Sequence, residues 1–189
     1  MSGLLIFYGV NLLIFTLALV WVLIPAFYGL PSRPTRLGRI RKALQLVELK
    51  QDEVLYDLGA GDGRVLFIAA KEFGAKVVGI EIGPVQCALI WLRILFNGLS
   101  SKAKIRWSNF YKTNLSDADV VFIYATSREV MKLAPYLEKN MKRGSRLVSI
   151  SADFPAWEPS DFDEESLIFS YEMPPKEGSL TTYMLKMAE

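Results

Sequence analysis

The heptapeptide Asp57-Leu58-Gly59-Ala60-Gly61-Asp62-Gly63 sets glycine at three alternate positions, with one carboxylate before them at Asp57 and one between the last two at Asp62. It follows the apolar run Val54 to Leu58, which reads as a strand, and leads into a helix opening at about Arg64. Glycine at a strand-to-helix turn removes Cβ where backbone must approach a ligand or adopt positive φ, and the helix start offers unpaired N–H donors. Such a turn suits a polar, small-molecule cofactor. Its spacing departs from the dinucleotide pattern G-x-G-x-x-G, and Asp57 and Asp62 would repel a pyrophosphate. A cationic amino-acid end would be received by these carboxylates, directly or through water, and Asp62 can equally serve as a helix N-cap. Glu81 lies about 20 residues beyond the glycines at the end of the next strand, where an acidic side chain accepts both ribose hydroxyls of an adenosine. The ligand these residues describe is a nucleoside.

Composition removes several alternatives. The 189 residues contain 0 His and 1 Cys, which excludes disulfide frameworks, His or Cys zinc sites and imidazole-based triads. No metal site is expected. A net charge of +2 is too small to imply nucleic-acid binding from the global field.

The elements that must position the turn alternate in type. An amphipathic helix over Arg36 to Leu49 is followed by strand Val54–Leu58 and helix Gly63–Phe73, strand Lys76–Ile82 and helix Pro84–Phe96, and strand Lys104–Ser108. Strand Asp119–Ala125, helix Arg128–Met141 and strand Arg146–Ala152 complete the series. This order predicts an α/β fold, a Rossmann-like doubly wound sheet that is mostly parallel, and the apolar VVFIY and VVGI fit strands buried on both faces. Leu167–Met173 and Ser179–Met187 read as two strands forming a C-terminal antiparallel hairpin. Trp91, Trp107 and the methionines are expected in the core, Cys87 as a small buried hydrophobe, and Lys139, Lys142 and Arg143 as a solvated helix end before Gly144.

The mean hydropathy of +0.24 is high for one ordinary domain, and the excess lies at the amino terminus. Gly3 to Leu30 carries no Asp, Glu, Lys or Arg, and Leu4 to Leu23 alone has the length of about 20 residues that spans a hydrocarbon layer. Its one strongly polar residue, Asn11, is given no role. Nothing basic precedes the span, whereas Arg33, Arg36, Arg39, Arg41 and Lys42 follow it, so the remainder is expected on the cytoplasmic side, or the equivalent inner side of an organelle. A cleaved secretory signal would carry a basic n-region and a small-x-small site, neither of which is clear here. The expected organisation is a transmembrane anchor over 1–30, a linker marked by Pro31 and Pro34 with the amphipathic helix over 31–50, and a catalytic domain over 51–189.

Taken together, the glycine turn, Glu81 and the closing hairpin make residues 45–187 resemble the class I, seven-strand S-adenosylmethionine-dependent methyltransferases, with DLGAGDG as glycine motif and GIE as ribose motif. More narrowly, the apolar amino terminus, Pro34-Thr35, DLGAGDGR, Asn109 to Leu115 and SADFPAWEP resemble the membrane-anchored protein-lysine N-methyltransferases that modify the ATP synthase c-subunit and adenine nucleotide translocase. This resemblance implies S-adenosyl-L-methionine as cofactor, held by Thr35, Asp57, Gly59, Gly61, Asp62, Gly63 and Glu81, with Asn109 and Phe110 at the adenine. Many relatives have an acidic residue where Asn109 stands, and Phe110 can equally be core.

Ligands in such sheets lie beyond the carboxyl ends of the strands, which brings Tyr124 toward the acceptor, as a channel wall or as ordinary packing. The segment Phe122 to Thr126 is not the N/D-P-P-Y/F tetrad of nucleic-acid amino methyltransferases. In SADFPAWEP, Asp153, Phe154 and Trp157 frame a narrow slot for a lysine chain, or else Trp157 anchors a surface loop. The expected acceptor is a lysine of an integral membrane protein, because tethering concentrates membrane-borne acceptors. A lipid or quinone acceptor, or a non-catalytic cofactor-binding membrane module, is the alternative.

Overall fold

The computed structural model describes residues 2–27 and 35–188. Tyr28, Leu30, Pro31, Arg33 and Pro34, and with them most of the expected linker, lie outside the described residues. Helix α1, Ser2–Phe27, is long and apolar enough to cross a membrane, and none of it from Gly3 to Val20 is buried.

The α/β part of the chain is preceded by α2, Leu37–Leu46, whose buried Ile40, Ala43 and Leu44 follow helical spacing. Strands β1 (Val54–Leu58), β2 (Lys76–Glu81), β3 (Ala103–Trp107), β4 (Val120–Tyr124) and β5 (Arg146–Ile150) pair in parallel. Helices α3 (Arg64–Glu72), α4 (Pro84–Phe96) and α5 (Ser127–Asn140) make the crossovers. Two-residue β6 (Trp157–Glu158), then β7 (Asp161–Asp163), β8 (Ile168–Glu172), β9 (Lys176–Glu177) and α6 (Leu180–Met187) complete the chain. The seven-stranded sheet has the order β3-β2-β1-β4-β5-β8-β7. Its order reverses between β1 and β4, and a crevice opens at such a switch point beyond the carboxyl ends of the strands. The fold is the Rossmann-like, mostly parallel sheet that the alternation of elements predicts.

Two apolar layers sandwich the sheet. On one face α2, α3 and α4 supply Leu44, Leu66, Ile90 and Ile94 against Leu55, Val77 and Phe122. On the other, Val130, Leu133 and Leu137 of α5 cover Val121 and Ile123. The cations assigned to topology by sequence tie α2 to its surroundings: Arg41 pairs with Glu72, Lys42 with Asp163 and Glu165, and Arg39 donates to the Ser166 carbonyl. Arg36 is the α2 N-cap residue.

The tail differs from expectation. Ser179–Met187 is not a strand: Leu180–Met187 forms α6, and the Ser179 hydroxyl caps it by accepting the Thr182 N–H at 3.2 Å. The edge is closed by an earlier hairpin in which β7 pairs antiparallel with β8 and β8 with β5, so neither side of β8 is open to a later strand. Phe162 and Phe169 stack across this hairpin at 4.8 Å. Trp91 and Trp107, expected in the core, are both exposed, whereas Cys87 is buried as expected and its thiol is pushed up to about 11 by desolvation and the charge of Glu81.

Gly79, at the middle of β2 opposite Asp57, lets α3 lie close to the sheet: an added Cβ would meet Leu66 Cδ1 at 2.9 Å and Ala60 Cβ at 3.0 Å. Gly79→Ala is expected to destabilise the domain by about 1–3 kcal/mol. The measurement is a lower urea midpoint at unchanged slope, and an unshifted midpoint would mean that α3 tolerates displacement.

Candidate active site

The glycine turn lies at the carboxyl end of β1. Gly59, Gly61 and Gly63 all have positive φ, and Gly63 is the left-handed residue from which α3 begins. Two of the glycines have separable tasks. A Cβ on Gly63 would press on Ile90 Cγ1 at 3.0 Å, so this position serves packing against α4. At Gly61 the nearest atom to an added Cβ is the Gly59 carbonyl oxygen at 3.9 Å, so its missing side chain leaves open room beside the turn.

Glu81 fastens that turn to the end of β2. Its Oε2 accepts the Gly61 N–H at 2.8 Å, and its Oε1 accepts the N–H groups of Ile82 and Gly83, each at 2.8 Å. A carboxylate oxygen accepts about two hydrogen bonds, so Oε1 is saturated while Oε2 keeps capacity for one hydroxyl. A shallow cleft beside it is lined by Gly59, Ile80, Glu81, Ile82, Asn109 and Phe110, so the fold brings the proposed sugar and adenine residues together. Asn109 caps the 3₁₀ turn Phe110–Lys112 by accepting the Tyr111 N–H at 3.0 Å, and the Phe110 ring is buried.

The two aspartates have different environments. Asp57 is buried, and its Oδ2 has no hydrogen-bond partner among the described residues. Desolvation, reinforced by the charges of Glu81 and Asp62, pushes its carboxyl up to about 8. Asp62 loses solvation too, but hydrogen bonds from Arg64 and the attraction of Arg64 and Arg93 outweigh that loss and hold its carboxyl below the ordinary range. The Arg64 guanidinium grips both Asp62 oxygens, with Nε 2.9 Å from each, and its Nη1 donates to the Thr35 carbonyl at 2.6 Å. Thr35 therefore meets the turn through its backbone. Asp62 stands one residue before the N-cap and accepts the Arg64 N–H at 3.2 Å. Arg64 was missed by sequence reasoning, although a base two residues after an acid at a helix start is a legible signal. Gln86, buried on α4 beside Gly83 with its Oε1 unpartnered among the described residues, carried no such signal.

Beyond β4 and β5 the expected acceptor slot is corrected. Phe154 and Trp157 are interior residues, with rings stacked on one another at 4.2 Å and 6° and set edge-on to Tyr171 at 5.3 and 5.6 Å. The Tyr171 hydroxyl accepts the Phe154 N–H at 2.9 Å, and the Trp157 indole donates to Glu138 at 3.0 Å. Rings so used in packing offer no face to a lysine chain. Asp153 and Tyr124 stay half-buried; Tyr124 packs against the layer of α2 and α3.

A model of the ANTKMT methyltransferase domain matches residues 57–161. The chain is 36% identical over 132 residues to a protein-lysine N-methyltransferase of Saccharolobus islandicus (strain REY15A), covering 69% of this chain and 82% of that protein. It is 27% identical over 154 residues to the ATP synthase c-subunit lysine N-methyltransferase of Mus musculus, covering 79% of this chain and 60% of that longer protein. Among solved structures, an RNA methyltransferase from Salinibacter ruber in complex with S-adenosyl-L-homocysteine superposes with a TM-score of 0.73 at 30% identity, covering 77% of this chain and 97% of that one.

Asp57 makes stability depend on pH in a defined direction. With its carboxyl raised from 3.8 to about 8, the folded state holds a proton that the unfolded state releases. The contribution is full below the unfolded value and is lost as pH climbs toward about 8, at up to about 1.4 kcal/mol per pH unit. Urea unfolding without added ligand is expected to show stability falling between pH about 5.5 and about 7.5, with a shallower fall in Asp57→Asn. Equal slopes in the two proteins would contradict the raised carboxyl.

Proposed function

The chain belongs to the ANTKMT methyltransferase domain family and is an S-adenosylmethionine-dependent methyltransferase, and from that premise we propose that it methylates the side-chain amine of a lysine in a membrane protein. The observation that carries this reading is the presence, on one chain, of the donor crevice and of α1, a helix with the length and composition of a membrane span. Relatives named for lysine N-methylation support the acceptor chemistry, and the mouse relative is named for a component of ATP synthase. Residues 1–30 then serve as anchor, 31–50 lead into the domain and 51–189 catalyse. The cations following the anchor favour the cytoplasmic or equivalent inner side.

The crevice residues fit the cofactor: an unpartnered buried carboxylate oxygen on Asp57, free acceptor capacity on Glu81 Oε2 and open room at Gly61. When bound, S-adenosylmethionine supplies a methyl group activated on a sulfonium. In this assignment Asp57 receives the amino-acid ammonium, Gly59 and Gly61 admit that end against the backbone while Gly63 packs on α4, and Glu81 Oε2 accepts one sugar hydroxyl. Asn109 and Phe110 flank the base. Asp62, engaged by Arg64, shapes the turn and ties it to Thr35.

Transfer needs no nucleophilic side chain from the enzyme. With the donor bound, a lysine nitrogen would take its methyl group directly, and the chain's task would be alignment, worth up to about 7–11 kcal/mol. A lysine with a reference pKa near 10.4 must first lose its proton, which a poorly hydrated approach beside positive sulfur favours. Tyr124 and Asp153, at the ends of neighbouring β4 and β5, flank that approach, and Asp153 steers the ammonium or takes its proton. Phe154 and Trp157 support the Asp153 loop from below.

Gly61→Arg is expected to weaken S-adenosylmethionine binding by calorimetry at least about tenfold, or about 1.4 kcal/mol. Undiminished affinity would place the donor elsewhere. Incubation of isolated membranes with methyl-labelled cofactor should put label into protein, on lysine. Label in the lipid extract, or in RNA as the name of the Salinibacter ruber enzyme would suggest, would overturn the acceptor assignment.

A further inference from the structure

Helix α4 is apolar on both sides. Its Ile90 and Ile94 are buried, yet Leu89, Trp91, Leu92, Leu95 and Phe96 on the outward side are 45%, 53%, 40%, 45% and 87% exposed. A soluble surface helix ordinarily turns a polar face outward, and an apolar outward face marks contact with another apolar phase. α4 carries one charged residue, Arg93, whose guanidinium lies 4.3 Å above the Phe67 ring.

The face extends past the helix. Trp107, at the end of the edge strand β3, is 70% exposed, and its indole N–H donates to the Ile82 carbonyl at 2.9 Å, at the turn that enters α4. Side chains alternate along β3, so Trp107 lies with Ala103 and Ile105 on the α4 side of the sheet, whereas Lys104 and Arg106 lie on the α5 side, in register with Val78 and Ile80.

Charge narrows the partner. From Ile82 to Ser116 the sequence has no Asp or Glu, but it has Arg93, Lys102, Lys104, Arg106 and Lys112. The segment that forms the apolar face therefore holds cations and no carboxylate. An anionic lipid surface is complementary on both counts: acyl chains and interfacial water suit leucine, phenylalanine and tryptophan, and headgroups suit lysine and arginine. The α1 backbone comes within 8 Å of that of α4, so a membrane holding α1 lies next to this side of the domain.

We propose that the outward face of α4, continued by Trp107, rests in the headgroup region of an anionic bilayer. The inference rests on α1 being a membrane anchor and adds a second contact that orients the domain. The cleft beside Glu81, Ile82 and Asn109 adjoins this face, so the contact also fixes how the donor crevice stands relative to the membrane.

Site-directed spin labelling of the full chain tests it. In a Cys87→Ala background, Phe96→Cys carries a nitroxide at the most exposed large apolar position among the described residues, and Lys139→Cys on α5 is the reference. The chain is reconstituted in vesicles of phosphatidylcholine with a minor share of phosphatidylglycerol. At position 96, collision with oxygen is expected to exceed that at the reference several-fold, and collision with a water-soluble nickel chelate to fall several-fold. Equal accessibility to the chelate at 96 and 139 would overturn the proposal, as would dipolar broadening at 96 that disappears on dilution with unlabelled chain, the signature of a second copy. Alkaline extraction of the same vesicles reports separately on α1. Retention of the chain with a water-exposed label 96 would remove this contact and leave the anchor, whereas release of the chain would remove both.

Discussion

The hold of the Glu81 carboxylate on three backbone N–H groups is the constraint around which the site is built. Those donors belong to the glycine turn after β1 and to the turn after β2, so one side chain joins the two crossover turns that border the crevice. Backbone donors at such turns have few other partners within the chain, and a carboxylate satisfies them more strongly than a neutral acceptor does. Gly63 against Ile90 and Gly79 against Leu66 bring α3 and α4 close enough for the turns to meet. The same arrangement crowds negative groups, and Asp57, whose Oδ2 has no hydrogen-bond partner among the described residues, absorbs the consequence as a raised carboxyl pKa. That carboxyl is the one a cationic ligand group would most readily ionise.

Arg64 resolves the crowding on the outer side of the turn. By gripping Asp62 and the Thr35 carbonyl together, it neutralises one aspartate and fixes the segment before α2 to the turn. The two aspartates of the motif are therefore unlike: one is spent on architecture and the other is left buried and, among the described residues, unpaired. The loop after β5 divides in the same way. Phe154 and Trp157 close the layer above Tyr171, and Asp153 alone of the three keeps access to solvent.

Much of this was legible in the order of residues. Strand Val54–Leu58 and helix Pro84–Phe96 fall where alternation and proline predicted them, because apolar runs between turn residues have few other conformations available. Ser179–Met187 was misread as a strand since its short apolar alternation suits either state. Pairing is a tertiary matter, and β7 had already taken the free side of β8. The aromatic residues were misjudged in both directions for one reason. Burial of Trp157 and exposure of Trp91 and Trp107 depend on what lies opposite each ring, which local pattern does not record.

By itself the sequence determined the alternation that makes a parallel sheet, the glycine turn with its acidic residue at the tip of the next strand, and an uncharged amino-terminal run of spanning length. These are local properties, set by backbone freedom at glycine and by hydrophobic periodicity. Only the tertiary structure decided that Asp57 Oδ2 lacks a partner among the described residues while Asp62 has Arg64, that Glu81 binds the glycine turn itself, and that α4 leaves an apolar side exposed. Each of those is a statement about distance between segments far apart in the chain, and desolvation and pairing energies exist only once such segments meet.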